Sequence, residues 1–413
     1  MKVLHIVSGD LSGGAAKGAY NLHQGLKELG VDSVIFTNSK TTFNDPSVIS
    51  TSENKLNIIK GAIRNRIERL ILKYYPQKKD YLFSTGLFGF NLDKYSIFKD
   101  ADIINLHWIN ESFINIKQLK KINKPIVWTL RDMWPMTGGC HYSLDCRKYE
   151  TNCGECPQLN STQQKDLSRF IINRKKKYLP KNMRVIGISE WLSQCAAQSS
   201  IFNNFEIQTV ANCINTDQFR PIDKNIAREV LSIKSRKKIV LIGSINLKDY
   251  YKGLSKFIEA LNYLDKEKIL LCTFGNIEKK LLENTGFEFM NFGFLNDIVS
   301  MSVVYSSADV FVAPSIMDAF GKTIVESMAC GTPVVCFDAT GPKSIVTHKH
   351  DGYRARPYHS EDLSRGINWI LNSEKYKNNC RQAREKAISK FNHRIVASQY
   401  NTIYKDLIST YTY

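Results

Sequence analysis

The sequence has little that would carry it into or across a membrane. It contains no run of about 18 apolar residues, the length that a spanning helix needs. Its first residues, MKVLHIVSGDLSGG, lack the long apolar stretch of a signal peptide and read as a buried first strand. A cytoplasmic location is therefore expected. No internal repeat, low-complexity tract or common nucleic-acid readout motif is present. Acid is the scarcer charge: 39 Asp and Glu stand against 57 Lys and Arg, a net charge of +18. That excess points to an anionic partner, and charge alone does not choose among nucleic acid, anionic lipid and phosphorylated substrates. The basic residues are dispersed and no readout motif accompanies them, so nucleic acid is not expected as the partner.

What is present reads as an α/β protein. At roughly 100–200 residues per domain, a chain of 413 residues holds two or three domains, each large enough for its own core. Hydrophobic and charged contents of 43% and 23% are ordinary for a globular protein. KVLHIVS, DSVIFT, DIINLHW, KPIVWTL and RVIGIS read as one series of strands. KKIVLIGS, KILLCTFG, FEFMNFGF, DVFVAPS and PVVCFD read as a second. Apolar strands separated by helical segments imply two Rossmann-like domains with parallel sheets, covered on both faces and facing each other across a cleft. The predicted boundaries are 1–209, a polar linker at 210–223 around Pro221, 224–390, and a terminal helix in 391–413 that returns to the first domain.

Residues 54–79 carry a basic amphipathic pattern. Leu56, Ile59, Ile63, Ile67, Leu70 and Tyr74 recur at helical spacing, and Lys60, Arg64, Arg66, Arg69 and Lys73 fill the remainder. Such a helix lies on an anionic membrane surface or packs its stripe on its own domain; both readings stay open here.

In open parallel sheets, ligands sit beyond the carboxyl ends of the strands. After the first strand, Gly13 and Gly14 precede a helix predicted to begin near Ala15. Glycines there let backbone approach a diphosphate at the helix N-terminus, or make a plain tight turn. The G-x-G-x-x-G spacing of a dinucleotide site is absent. Lys252, followed by Gly253, stands after a strand, a loop and Gly243, just before a helix. It suits a phosphate oxygen as a point charge; the ordinary alternative is a solvated lysine. The stretch PSIMDAFGKTIVESMACGTPVV resembles the tail of a P-loop at Gly321-Lys322-Thr323, but Ile316 stands where that motif needs glycine. Phe320, Gly321, Lys322 and Thr323 are predicted to start a helix whose free amides, with Lys322, face a diphosphate. Asp318 before it and Glu326 within it suit sugar hydroxyls, which donate to carboxylates. An acid–base pair and helix capping by Asp318 are the rival readings.

Residues 309–335 resemble the signature of glycosyltransferase family 4, the retaining transferases of GT-B fold: an acid, seven residues, then Glu326, with Phe-Gly between. The Gly-Gly loop, Lys252-Gly253 and NCINTDQFRP extend the resemblance over nearly the whole chain. WTLRDMWPMTGGCHYSLDCRKYETNCGECP is similar to bacterial members in capsule, colanic-acid-type and O-antigen assembly. The resemblance implies hexose transfer from a nucleoside diphosphate sugar to a lipid-linked glycan hydroxyl, at the inner membrane face and without catalytic metal. It implies that Lys252, Asp318, Glu326 and Arg131 carry the reaction, that Glu326 holds the ribose and Asp318 the sugar, and that the leaving diphosphate helps deprotonate the acceptor. Three departures stand out. The first acid is Asp318, where the family usually has Glu. The place of the phosphate-binding Arg falls near Ser244 or Asn246. Arg131 replaces a frequent His, with His107 and His141 nearby in sequence. A GT-B epimerase or hydrolase is the alternative reaction, and a basic nucleic-acid-binding protein the remote one.

Cys140, Cys146, Cys153 and Cys156, in the loop 138–157, form C-x5-C-x6-C-x2-C. In a reducing compartment they read as ligands of a structural zinc, with Cys153–Cys156 as a knuckle-like half, or as a reduced loop closing over the acceptor side. The other six cysteines read as small buried apolar residues.

Overall fold

The computed structural model describes residues 1–39 and 44–411. The chain divides into two compact units, Met1–Val210 with Val396–Tyr413, and Ala211–Ile395.

The first unit is built on β1 (Lys2–Ile6), β2 (Asp32–Thr37), β3 (Val48–Ser50), β4 (Ile103–Leu106), β5 (Ile126–Leu130), β6 (Met183–Gly187) and β7 (Ile207–Thr209). They form one parallel sheet in the order β3-β2-β1-β4-β5-β6-β7. The second unit holds β8 (Lys238–Asn246), β9 (Ile269–Asn276), β10 (Glu288–Asn291), β11 (Val310–Ala313), β12 (Val334–Phe337) and β13 (Gly352–Ala355). These form a second parallel sheet, β10-β9-β8-β11-β12-β13. The α/β architecture with two Rossmann-like parallel sheets is thus as the strand pattern predicted.

Burial explains which strands the sequence revealed. The central strands β4, β5, β11 and β12 are buried along their whole length, so they read as continuous apolar runs. β3, β7 and β13 were not foreseen; they are edge strands of three or four residues with mixed sequences, VIS, IQT and GYRA. FEFMNFGF contributes only Glu288–Asn291, and its half-buried residues form the edge strand β10.

Helices cover these sheets through apolar stripes. Gly14–Glu28 buries Ala16, Ala19, Leu22 and Leu26. In the second unit, Phe257, Leu261, Ile367 and Ile370 close over Val240, Leu271, Val310 and Val312. The stretch 211–223 is held within the second unit: Arg384 Nη1 donates to the carbonyls of Thr216 and Phe219 at 3.0 and 2.7 Å.

The helix His393–Thr410 runs from the second unit onto the first. Its buried Tyr404 accepts from Asn105 Nδ2 at 2.5 Å, Tyr400 lies 3.1 Å from Thr129 Oγ1, and Asp406 pairs with Arg184 at 2.7 Å. Of the predicted terminal stretch, residues 412–413 lie outside those described. No helix among the described residues is long and apolar enough to cross a membrane.

Asn105 is fully buried at the centre of its sheet, so its amide depends on the tyrosine hydroxyl. Tyr404→Phe strands that donor at a cost of about 1–3 kcal/mol. The expected result is a melting temperature lower by roughly 2–8 °C, read by calorimetry or circular dichroism.

Candidate active site

Parallel strands bring every carboxyl end to one edge, and in the second unit the loops after β8 and β11 meet there. They pack closely. Gly253 sits at φ +70°, and a Cβ on it would lie 1.9 Å from the Pro314 carbonyl oxygen. A Cβ on Gly275 (φ +92°) would lie 1.6 Å from the Ser244 carbonyl oxygen. Gly253 lets the two loops approach and Gly275 lets the end of β9 approach β8, and beside them is a pocket lined by Gly243, Ser244, Lys252, Pro314, Ser315 and Thr323. The buried Ser244 hydroxyl has no hydrogen-bond partner, so one polar group in this pocket is unsatisfied.

Lys252 Nζ lies 2.7 Å from Asp318 Oδ2, both side chains being partly exposed. The other Asp318 oxygen accepts from the Phe320 amide at 3.2 Å. The helix that follows is Lys322–Ala329, two residues later than its predicted start, and Gly321 caps it at φ 102° without a side-chain bond. Asp318 is therefore not the helix cap, and the capping alternative is corrected: its carboxylate binds a loop amide ahead of the helix. Glu326 is 2% exposed. Its Oε1 takes the Lys322 ammonium, and its Oε2 accepts from the Tyr305 hydroxyl at 3.1 Å. Burial, reinforced by the Glu326 charge, holds the Tyr305 phenol well above its usual range. Phe320 is buried, its ring edge-on to Phe391 at 5.8 Å. Two lysine–carboxylate pairs, Lys252–Asp318 and Lys322–Glu326, thus flank one loop–helix junction.

In the first unit, Gly13 caps the helix that begins at Gly14, one residue before the predicted start. A Cβ on either glycine would meet nothing within 4 Å, and neither has positive φ. Arg131 follows β5, is buried, and donates from Nε to His107 Nδ1 at 3.3 Å. His107 Nε2 lies 2.9 Å from His5 Nδ1. Burial, with Arg131's charge contributing, drives both imidazoles well below their usual range and keeps them neutral. His141 is apart from this set, its Nδ1 2.6 Å from Asp132 Oδ2, to which Trp108 Nε1 also donates at 2.8 Å. Glu111 accepts from Ser8 Oγ at 3.2 Å, and burial raises its carboxyl. Asp132, Trp108, Glu111 and Ser8 were not singled out by motif. All lie just beyond the carboxyl ends of β1, β4 and β5, the position rule by which they could have been found.

The four loop cysteines are reduced and line one cavity with Phe83, Gly138 and Tyr149. Burial pushes the Cys140, Cys153 and Cys156 thiols up, Cys153 to about 12. Among the described residues no three His, Cys, Asp or Glu side chains are gathered tightly enough to hold a metal ion as they stand. Of the remaining cysteines, Cys195, Cys213, Cys272, Cys330 and Cys336 are buried, whereas Cys380 is half-buried.

Comparison with known proteins matches the same two units separately. Residues 12–218 match the family description Glycosyltransferase Family 4, half of the chain, and residues 223–387 match Glycosyl transferases group 1. A Campylobacter jejuni protein named N,N'-diacetylbacillosaminyl-diphospho-undecaprenol alpha-1,3-N-acetylgalactosaminyltransferase is 26% identical over 202 residues, 47% of this chain and 53% of that one. The putative colanic acid biosynthesis glycosyl transferase WcaC of Escherichia coli is 25% identical over 280 residues, 64% of this chain and 67% of that one. The chain thus spans about half to two thirds of these relatives' length. Among solved structures, Anabaena Alr3699/HepE in complex with UDP-glucose superposes with a TM-score of 0.66 at 17% identity, covering 98% of this chain and 100% of that one.

The glycines give a stability test of the local geometry. Gly253→Ala meets the Pro314 carbonyl in a left-handed conformation and should destabilise by about 2 kcal/mol or more. Gly14→Ala enters open space at a helix start and should leave the melting temperature unchanged or higher. Thermal unfolding of the two variants checks both.

Proposed function

The chain belongs to glycosyltransferase family 4, and from that premise we propose that it moves a hexose, with retention of configuration, from a nucleoside diphosphate sugar to a hydroxyl of a lipid-linked glycan in surface-polysaccharide assembly. The observation that carries this reading is the Lys252–Asp318 pair beside a pocket with an unsatisfied Ser244 hydroxyl. A diphosphate entering that pocket gives Lys252 a stronger anionic partner than one carboxylate and frees Asp318 to accept from sugar hydroxyls. Glu326 uses two acceptor sites, for Lys322 and Tyr305, out of about four on a carboxylate, and the remainder suit ribose hydroxyls. Lys252, Lys322, Ser244, Thr323 and the amides at Gly321–Lys322 stabilise the charge that develops on the leaving diphosphate. Gly13 and Gly14, with open space at a helix N-terminus, supply a second anion-facing surface. Arg131, tied to neutral His107 and buried in the first unit, is the remaining catalytic candidate. Support for donor and acceptor classes comes from the names of similar proteins: one was solved with UDP-glucose, and another acts on a diphospho-undecaprenol glycan.

A panel of nucleotide sugars with a lipid-diphosphate acceptor tests the reaction. The expected result is transfer from one donor and thermal protection by its nucleoside diphosphate. Conversion of donor without acceptor would replace transfer with epimerase or hydrolase action. Glu326→Ala should weaken binding of both the bare nucleoside diphosphate and the whole donor, because ribose belongs to both. Asp318→Ala should spare the bare nucleotide and lower turnover, and Asp318→Glu should keep activity with an altered sugar preference. Each lost charged hydrogen bond corresponds to about 1.5–3 kcal/mol, or roughly ten- to hundred-fold. Calorimetric titration and initial rates separate these outcomes.

Membrane association belongs to the same proposal. The helix Lys55–Leu72 leaves Leu56, Ile59, Ile63, Ile67 and Leu70 exposed, along with Tyr74 beyond its end. It buries Glu68 and Leu72 instead, so its apolar stripe is not its packing face. Lys60, Arg66, Arg69 and Lys73 are exposed around that stripe, while Arg64 stacks on Phe90 at 4.4 Å. Apolar side chains framed by lysine and arginine fit an anionic bilayer surface. The double variant Ile63→Asp, Ile67→Asp should lose binding to phosphatidylglycerol vesicles by at least about tenfold in a sedimentation assay. Its nucleotide binding should be unchanged.

A further inference from the structure

We propose that Cys140, Cys146, Cys153 and Cys156 bind one zinc ion, which clamps the loop 138–157 that carries His141. Cys153 and Cys156 share one turn of that loop and Cys140 and Cys146 come from other parts of it, yet each lies within electrostatic reach of the other three, and all line one cavity. The four cysteines line this cavity, but among the described residues no three such side chains are close enough to hold a metal as they stand. Zinc would draw them to about 2.3 Å from the metal.

The backbone is arranged for such a turn. Cys153, Gly154 and Glu155 are three successive residues in left-handed conformation, at φ 52°, 95° and 43°. The turn is pinned from outside: the Cys156 amide donates to Asp166 at 2.8 Å, the Gly154 amide to Ser168 at 2.9 Å, and Arg169 Nε to the Cys153 carbonyl at 3.1 Å. These bonds hold Cys153 and Cys156 on one side of the cavity without using their sulfurs.

An independent observation is the charge beside them. Lys175 is fully buried, with its ammonium on the carbonyl oxygens of Trp134 and Thr137 and over the Trp134 ring. Among the described residues no carboxylate stands in ion-pair contact with it; burial lowers its pKa to about 7, and Cys140, Cys153 and Asp132 lie within reach of its charge. A buried ammonium held only by neutral oxygens is costly. Four thiolates around a divalent zinc carry a net charge of −2, which would join Asp132 in favouring the charged form of this lysine. At the rim, Lys148 bonds the Glu155 carbonyl and pairs with its carboxylate at 2.9 Å, and Lys176 bonds the Thr151 carbonyl. On binding, four S–H protons are released to solvent and four S–Zn bonds form, with no change of oxidation state.

Cys140 precedes His141, which the Asp132 carboxylate and the Ser84 hydroxyl hold at 2.6 and 2.9 Å. The metal would therefore act as a positioning element for His141.

Full-length protein, purified in reductant without added metal or chelator, should carry about one zinc per chain by mass spectrometry of the elements. Replacement by cobalt should give the thiolate-to-cobalt charge-transfer absorption of a tetrahedral sulfur site. Cys153→Ser should lose both the zinc and that absorption, and melt at a lower temperature. Should it fail to fold, metal content and cobalt spectrum of the unaltered chain decide the matter. Wild-type protein with less than about a tenth of an equivalent of zinc after reconstitution, or with the four sulfurs paired as disulfides in reductant, overturns the proposal.

Discussion

Close approach of backbones at the carboxyl edge of the second sheet is the constraint on which the candidate site depends. Gly253 under Pro314 and Gly275 under Ser244 leave no room for a Cβ, and the pocket exists because those chains touch. Lys252 directly precedes Gly253, and the Pro314 loop leads into Asp318, so the same contact that shapes the pocket brings the ammonium to its carboxylate. A side chain at Gly253 would therefore disturb packing and charge together.

The charges are organised as pairs because both carboxylates are wholly or partly withdrawn from water. Glu326 is nearly buried, and a buried carboxylate needs compensation, which Lys322 and Tyr305 supply. Asp318 is more exposed, and its pairing with Lys252 is easier to exchange. That difference suits the division of work proposed for them: a firmly held carboxylate for a part of the donor common to all substrates, and a looser one at the reacting sugar.

Two features of the first unit stand outside the paired lysines and carboxylates. The basic helix keeps its apolar stripe in solvent because Glu68, rather than an isoleucine, faces inward, where it accepts from Thr85 and Ser112. The cysteine loop encloses a lysine without a carboxylate in contact. In each case the unit leaves a physical requirement unmet among its own described side chains: apolar surface in one, buried charge in the other.

Much of this was determined by the sequence alone. Central strands such as IVWTL and VVCF are legible because burial on both faces demands an unbroken apolar run, and the acid–seven–Glu spacing is legible because one loop and one helical turn set it locally. Family membership follows from the same local patterns. The edge strands β3, β7 and β13 were not legible, since three or four half-polar residues become strands only when a neighbouring sheet offers its edge. Tertiary structure alone decided that Lys252 meets Asp318 across 66 positions, that Asp318 does not cap its helix, and that His141 joins Asp132 while His107 joins Arg131. It also decided which face of the basic helix is buried, because helical spacing defines a stripe but not the side on which the core lies. Hydrophobic period is a property of neighbours in the chain. A pairing between distant charges depends on where the sheets place the ends of their strands.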